Sequence, residues 1–170
     1  TTVTILDHGP HLQLLNDGRP ESGINFGSTP FGAQLVGLGG LPALFSKERG
    51  TALIIGLGGG HTARLALDGG YEKMIAIELE EGVDRAARHL YEARAAARQE
   101  ESLYPIDDPR AELIIDDARA RLTLLPEGSL DAVVSQPSHP WLAGSSALYT
   151  LEFFRQVASR LRDGGVFSLW

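Results

Sequence analysis

The feature that most constrains this chain is a glycine-rich turn between a buried apolar run and a helix. Residues 53–62 read LIIGLGGGHT, which puts Gly56, Gly58 and Gly60 directly after a predicted strand. Glycine permits backbone angles closed to other residues, and the start of the following helix supplies free N–H groups. The turn therefore predicts a ligand-binding loop. The alternative is a tight turn that serves only helix packing.

From residue 50 onward, apolar strands alternate with helical segments. We predict strands over residues 52–55, 74–77, 113–115, 130–135 and 166–169, and helices over 61–67, 83–99 and 151–161. This alternation is typical of a parallel sheet covered by helices on both faces. The fold class that it predicts is α/β, with a Rossmann-like sheet.

The first part of the chain has a different texture. Short apolar runs alternate with turn signals, among them Asn16, Asp17 and Gly18, which predict a β-hairpin. A helix is expected over residues 29–45. We therefore divide the chain into an amino-terminal β-hairpin appendage with a lead-in helix (1–45) and a Rossmann-like nucleoside-binding domain (46–170). Because the sequence lacks an initial methionine and stops at residue 170, just after a predicted strand, we expect a fragment with unpaired sheet edges and without its final strands.

Carboxylates follow two of the predicted strands. Glu78 lies about 20 residues after Gly56, where dinucleotide-type folds place the acid that binds ribose hydroxyls. A solvated strand-end carboxylate is the alternative. Asp116 and Asp117 follow the third strand, and we favour Asp117 as the acceptor for an adenine amino group. Either aspartate would equally serve as the cap of the helix that begins near residue 118.

Composition limits the partners. The net charge of -7 argues against a nucleic-acid partner, which calls for a basic face, and suits a cationic small-molecule substrate. Cysteine is absent, so thiolate metal sites are excluded, and we expect no metal. No apolar run is long enough to span a bilayer, so we expect no membrane contact by this segment and a cytoplasmic location. A homodimer is compatible with the sequence.

Residues 32–170 resemble the spermidine synthase family, the polyamine aminopropyltransferases, and especially the spermidine-synthase-like domains fused to bacterial membrane transporters. The resemblance rests on residues 135–141 (SQPSHPW), 148–154 (LYTLEFF) and 161–167 (LRDGGVF), and on residues 34–42 before the first strand. It implies a class I methyltransferase-like fold that binds S-adenosylmethionine or decarboxylated S-adenosylmethionine as co-substrate. The residues that would hold the nucleoside are Gly56, Gly58, Gly60, Glu78, Asp117 and Gln34.

The same resemblance assigns the loop after the fourth strand to the reacting centre. Family members carry an aspartate where Gln136 stands and usually a second acid where His139 stands. An amide orients an acceptor amine but takes no proton from it, so His139 is the candidate base; a loop histidine bonded to backbone is the alternative. Tyr149 and Trp141 would lie near the pocket, with core packing as the alternative for each.

Three functions remain open at this point. The first is aminopropyl transfer to a polyamine-type acceptor, which the resemblance favours and Gln136 opposes. The second is methyl transfer from S-adenosylmethionine, since many methyl acceptors need no strong base. The third is a non-catalytic nucleoside- or polyamine-binding module of a larger protein. Either transfer would be an in-line displacement that depends mainly on positioning.

Overall fold

The structure is a computed structural model, and it describes residues 1–27, 33–137, 141 and 145–169, with residues 33–35 as backbone. The described residues form eight strands and five α-helices, with three successive strands first and alternating helices and strands after them. In chain order they are β1 (Val3–Asp7), β2 (His11–Asn16), β3 (Arg19–Asn25), α1 (Ala33–Phe45), β4 (Thr51–Ile55), α2 (His61–Asp68), β5 (Lys73–Glu78), α3 (Glu81–Arg98), β6 (Ala111–Ile115), α4 (Ala118–Leu124), β7 (Leu130–Ser135), α5 (Leu151–Arg160) and β8 (Leu161–Leu169).

The central sheet has the order β6-β5-β4-β7-β8, and every pair of neighbours is parallel. Its middle strands are apolar on both faces, and every residue of β7 is buried, which is the pattern of a strand covered on both sides. Residues of α1 and α2 pack on one face, and residues of α4 and α5 pack on the other. The predicted α/β, Rossmann-like fold is confirmed.

The amino-terminal appendage is a three-stranded antiparallel sheet, β1-β2-β3, and so has one strand more than the predicted hairpin. The predicted turn joins β2 to β3. Asp17 and Gly18 have φ values of 47° and 75°, as a tight hairpin turn requires. Leu12, Leu14 and Ile24 of this sheet share a core with α3, so the appendage is packed onto the larger part of the chain.

Element bounds differ from the sequence prediction chiefly at the last strand. β8 begins at Leu161, whereas we expected a strand only over residues 166–169. The regular pairing is nevertheless the predicted part, because Val166 to Leu169 pair in sequence with β7. The preceding residues hold a register shift, and Gly164 has a φ of 81°. In the described part of the chain, β6 and β8 each pair on one side only, and no helix there has the length and apolarity needed to cross a membrane.

Candidate functional site

A cleft of about 530 Å³ lies at the carboxyl edge of the central sheet. Open α/β sheets bind ligands at this edge, because the loops that leave the parallel strands converge there. The ends of β4, β5, β6 and β7 form its floor, and the β2–β3 turn of the appendage forms a further wall. The lining residues that bear on function are Asn16, Asp17, Arg19, Glu21, Gly56, Gly58, Glu78, Glu80, Asp116, Asp117, Arg119 and Gln136.

Two of the predicted glycines face this cleft. Gly56 and Gly58 both line it, and both have positive φ, at 85° and 50°. A Cβ added at Gly58 would meet no atom within 4 Å, so the backbone there is open to a ligand. At Gly56 the space is taken, since a Cβ would lie 3.3 Å from the Gln136 carbonyl oxygen. Of the two glycines, Gly58 therefore leaves the room that close approach of a ligand to the main chain requires.

The next two glycines face the protein instead. A Cβ at Gly59 would lie 2.7 Å from Cβ of Ser22 on β3, closer than real atoms come. A Cβ at Gly60 would lie 3.2 Å from Cγ of Pro105, and Gly60 is outside the cleft lining. Packing, which was the alternative to ligand binding for this turn, therefore accounts for Gly59 and Gly60, because the appendage and the segment after α3 lie against them.

Glu78 ends β5 with its carboxylate held by the main chain. Its Oε2 accepts a hydrogen bond from Leu57 N at 2.8 Å, and its Oε1 accepts one from Glu80 N at 3.1 Å. Burial raises the pKa of Glu78, while these backbone N–H groups act in the opposite direction. The side chain lines the cleft at the point where β5 ends. A fixed carboxylate in this position suits a vicinal pair of hydroxyl donors such as a ribose.

Asp116 and Asp117 also line the cleft, and each has a local structural bond. Asp117 Oδ1 accepts a hydrogen bond from Ala120 N at 2.9 Å, so it caps α4. Asp116 Oδ1 accepts from the backbone N of Asp117 at 2.8 Å. The second carboxylate oxygen of Asp117 makes no hydrogen bond within the described part of the chain. The capping alternative is therefore observed, and one oxygen remains to accept from an adenine amino group.

Gln136, which follows β7, is tied to the helix after the glycine loop. The Thr62 hydroxyl donates to Gln136 Oε1 at 2.8 Å, and the Gln136 backbone N donates to Ile55 O at 3.2 Å. Thr62 is buried, whereas Gln136 is half-buried and lines the cleft. His139, the candidate base, lies outside the described residues. The structure therefore locates only the amide at the predicted reacting centre.

The remaining predicted site residues lie outside the lining of the cleft or outside the description. Tyr149 donates a hydrogen bond to Pro137 O at 3.4 Å, and burial raises its pKa. Trp141 is 76% exposed, so core packing does not describe it. Gln34 lies in α1, and its side chain is outside the description.

The appendage residues at the cleft were missed by the sequence analysis. The Asp17-Gly18 turn was recognised, but the charged side chains beside it, Arg19 and Glu21, were not linked to the site. With them, the lining holds six carboxylate and two guanidinium side chains. They are Asp17, Glu21, Glu78, Glu80, Asp116 and Asp117, with Arg19 and Arg119. This charge balance favours a ligand that carries positive charge. Within the described ranges, no three His, Asp or Glu side chains converge as a metal site.

The fold is of the Rossmann-like α/β class, with an open cleft at the carboxyl edge of its parallel sheet, and comparison with known proteins gives the family. The Spermine/spermidine synthase domain matches residues 36–170, so the chain belongs to this family, as the resemblance predicted. It is 36% identical over 118 residues to a polyamine aminopropyltransferase of Aeropyrum pernix, covering 68% of this chain and 35% of the relative. With a polyamine aminopropyltransferase of Alkalilimnicola ehrlichii the identity is 32% over 127 residues, 74% of this chain and 41% of the relative.

Solved structures agree on the fold. Spermidine synthase in complex with the transition state analogue AdoDATO superposes with a TM-score of 0.78 and 24% identity, covering 98% of this chain and 53% of that one. Spermidine synthase from Thermotoga maritima gives a TM-score of 0.76 at 24% identity, over 98% of this chain and 52% of that one. The chain therefore spans about half the length of these structures, and less of the curated relatives' length.

Proposed function

We propose that this chain binds the adenosyl part of a sulfonium donor in the cleft and transfers the donor's aminopropyl group to a polyamine-type amine. The observation that carries the proposal is the Glu78 carboxylate, which two backbone N–H groups hold beside the open glycine Gly58. Family membership supports aminopropyl transfer as the reaction. The donor for that reaction would be decarboxylated S-adenosylmethionine.

The nucleoside would be held by groups from three successive strand ends. Glu78 would accept hydrogen bonds from the ribose hydroxyls, and the free oxygen of Asp117 would accept one from the adenine amino group. Gly58 would let the nucleoside lie against the main chain, since no atom occupies the space beside its Cα. Because each strand end supplies one of these contacts, the sheet itself sets their spacing.

The transfer would be a single in-line displacement. The lone pair of a neutral acceptor amine attacks the aminopropyl methylene carbon bonded to the sulfonium sulfur, and a C–N bond forms as the bond between that carbon and sulfur breaks. The C–S electron pair stays on sulfur, which leaves a neutral thioether, and the new ammonium then loses a proton. The excess of carboxylates in the lining would stabilise the positive charge throughout.

Removal of the amine's proton is the step that this chain performs differently from the family pattern. A carboxylate would take that proton, but the Gln136 amide has no basic atom. His139 is the proposed base, because it stands where family members usually carry a second acid. The amide also favours a second candidate, methyl transfer from S-adenosylmethionine, since many methyl acceptors need no strong base.

Nucleoside binding tests the proposal directly. Glu78→Gln keeps the size of the side chain and removes its charge, so we expect it to weaken 5′-methylthioadenosine binding about 10- to 100-fold, given about 1.5–3 kcal/mol for hydrogen bonds to a charged group. Glu112→Gln is the matched control, because Glu112 pairs with Lys73 at 2.7 Å on the β6 strand and lies outside the cleft lining. Titration calorimetry measures both.

A second variant separates binding from folding. Asp117→Asn retains an oxygen to cap α4, but it replaces the second carboxylate oxygen by an NH2 group, which cannot accept a hydrogen bond from an adenine amino group. We expect its melting temperature to stay near that of the parent protein and its affinity for methylthioadenosine to fall several-fold. Affinities of folded Glu78→Gln and Asp117→Asn proteins within two-fold of the parent would refute the nucleoside site.

A further inference from the structure

The orientation of the Gln136 amide decides which chemical group this end of the cleft can bind. Its Oε1 accepts the Thr62 hydroxyl at 2.8 Å, and Thr62 is only 2% exposed. The other end of the amide, Nε2, carries two N–H donors and makes no hydrogen bond with the described residues. Gln136 is half-buried and lines the cleft, so with its oxygen held by Thr62 the Nε2 end is the part of the amide left to bind a ligand. A group that binds to them must be a hydrogen-bond acceptor.

Arg19 adds a cation to the same cleft. It is the first residue of β3, beside the β2–β3 turn, and its side chain is exposed. The guanidinium makes no ion pair or hydrogen bond with any residue that the structure describes. A planar guanidinium matches a carboxylate with two parallel hydrogen bonds, and in that role it is the strongest donor among side chains. Arg19 and Gln136 are thus two donors with no partner in the described protein.

The acidic remainder of the lining excludes a simple anion as the ligand. Glu78, Glu80 and the other carboxylates outnumber the arginines, so a ligand with negative charge alone would be repelled. A ligand with positive charge alone would leave the donors of Gln136 and Arg19 unused. A zwitterion matches both sets.

We propose that the cleft binds a ligand bearing an α-amino acid group, whose carboxylate accepts hydrogen bonds from Gln136 Nε2 and Arg19 and whose ammonium faces the carboxylates. Thr62 is the positioning residue, because it holds the amide oxygen away from the ligand. The inference rests on the proposed nucleoside site and changes what is bound beside it: a carboxylated donor in place of decarboxylated S-adenosylmethionine, or a carboxylated acceptor in place of a polyamine. The amino acid group has two sources: the methionyl tail of intact S-adenosylmethionine, or an acceptor amine that is itself an amino acid.

Two pairs of ligands that differ only by a carboxylate distinguish these sources. In the first arm, titration calorimetry compares S-adenosylmethionine with its decarboxylated form. In the second arm, with methylthioadenosine saturating, it compares ornithine with 1,4-diaminobutane. We expect at least a ten-fold preference for the carboxylated member in one arm, and that arm identifies the source. Preferences below two-fold in both arms would overturn the inference while leaving methylthioadenosine binding, and so the proposed nucleoside site, intact.

Variants assign the preference to residues. Gln136→Asp replaces the donors by acceptors and should abolish or reverse it, while Arg19→Gln should reduce it several-fold. Arg155→Gln removes an equal charge from the exposed face of α5, away from the cleft lining, and should leave it unchanged. Thr62→Val frees the amide to turn and should reduce the preference, whereas Thr62→Ser, which keeps the hydroxyl, should restore it.

Three outcomes of these experiments would contradict different parts of the inference. A carboxylate preference that survives in Gln136→Asp, Arg19→Gln and Thr62→Val proteins would overturn the assignment to these residues. If Thr62→Val lowers the affinity for both members of a pair at a constant ratio, then Thr62 has only a structural role. That result would also contradict the assignment of the carboxylate preference to these residues. Failure of methylthioadenosine itself to bind the parent protein would refute the nucleoside site, and the inference with it.

Discussion

A methyl group added at Gly59 would test how the appendage is attached to the glycine loop. The Cβ of Gly59→Ala would lie 2.7 Å from Ser22 Cβ and 3.2 Å from His61 Nε2. Turning the Ser22 side chain moves its Oγ away but leaves its Cβ in place, so β3 itself must shift. The backbone of Gly59 is not in the positive-φ region, so alanine meets only this steric obstacle.

The structure sets the expected cost. Overpacking by one methyl group costs about 1–3 kcal/mol. A shift of β3 also lengthens the bond between His61 Nε2 and Gly23 O, now 3.1 Å, and a hydrogen bond contributes about 0.5–1.5 kcal/mol. We therefore expect Gly59→Ala to lower the free energy of unfolding by about 2 kcal/mol. For a chain of this length that corresponds to a fall in melting temperature of roughly 4–8 °C.

A double-mutant cycle measures the contact itself. Ser22→Gly removes the atoms that the new methyl group would meet, so Gly59→Ala should cost less than about 1 kcal/mol in that background. Urea denaturation of the parent, both single variants and the double variant gives the coupling energy. Gly40→Ala is the control, because a Cβ there meets no atom within 4 Å and alanine favours the helix.

Additivity would refute this reasoning. If Gly59→Ala costs the same with serine or glycine at position 22, then β3 does not press on the glycine loop. A cost below about 0.5 kcal/mol in the parent background would lead to the same conclusion.

Two pH predictions follow from buried and paired groups. Burial lowers the pKa of His61, so as pH falls the unfolded chain binds the proton before the folded chain does. The stability that comes from the neutral ring is complete above about pH 6.5 and should decline below that pH. His61→Gln should therefore flatten this part of the pH profile of the free energy of unfolding, measured by urea denaturation. His89→Gln, at an exposed site on α3, should leave the decline in place; a decline that persists without His61 contradicts the assignment. The Arg110 guanidinium lowers the pKa of Asp108 to about 2, so this pair stabilises the fold above about pH 4 and loses its effect as pH falls towards 2. Asp108→Asn should make acid unfolding between these values less steep, and an unchanged slope would refute the pairing.

The parts of the site that the sequence predicted are those that strand ends bring together. Glu78 and Asp117 follow neighbouring parallel strands, and Gly56 and Gly58 follow the strand between β5 and β7. Strand positions follow from runs of apolar residues, and parallel strands end at one edge of the sheet, so convergence of these residues was predictable. The predicted hairpin lacked β1, which the structure adds as a third strand that pairs with β2 and packs against α3.

Contacts between distant segments could not be predicted in the same way. Nothing in the glycine turn distinguishes Gly58, which is open to the cleft, from Gly59, which lies under Ser22. Likewise, the sequence shows only that Gln136 replaces a carboxylate after β7, whereas the structure shows that the Thr62 hydroxyl donates a hydrogen bond to its oxygen. These differences depend on where the appendage and α2 lie in space.

The sequence alone therefore determined the order of strands and helices in the central sheet, the glycine turn and the two strand-end acids, because periodicity and spacing are properties of consecutive residues. Only the tertiary structure decided which glycines face the cleft, that Arg19 reaches the cleft, and which end of the Gln136 amide is left without a partner among the described residues. The reason is physical: these outcomes depend on the packing of side chains far apart in the chain, and that packing is set by the whole core at once.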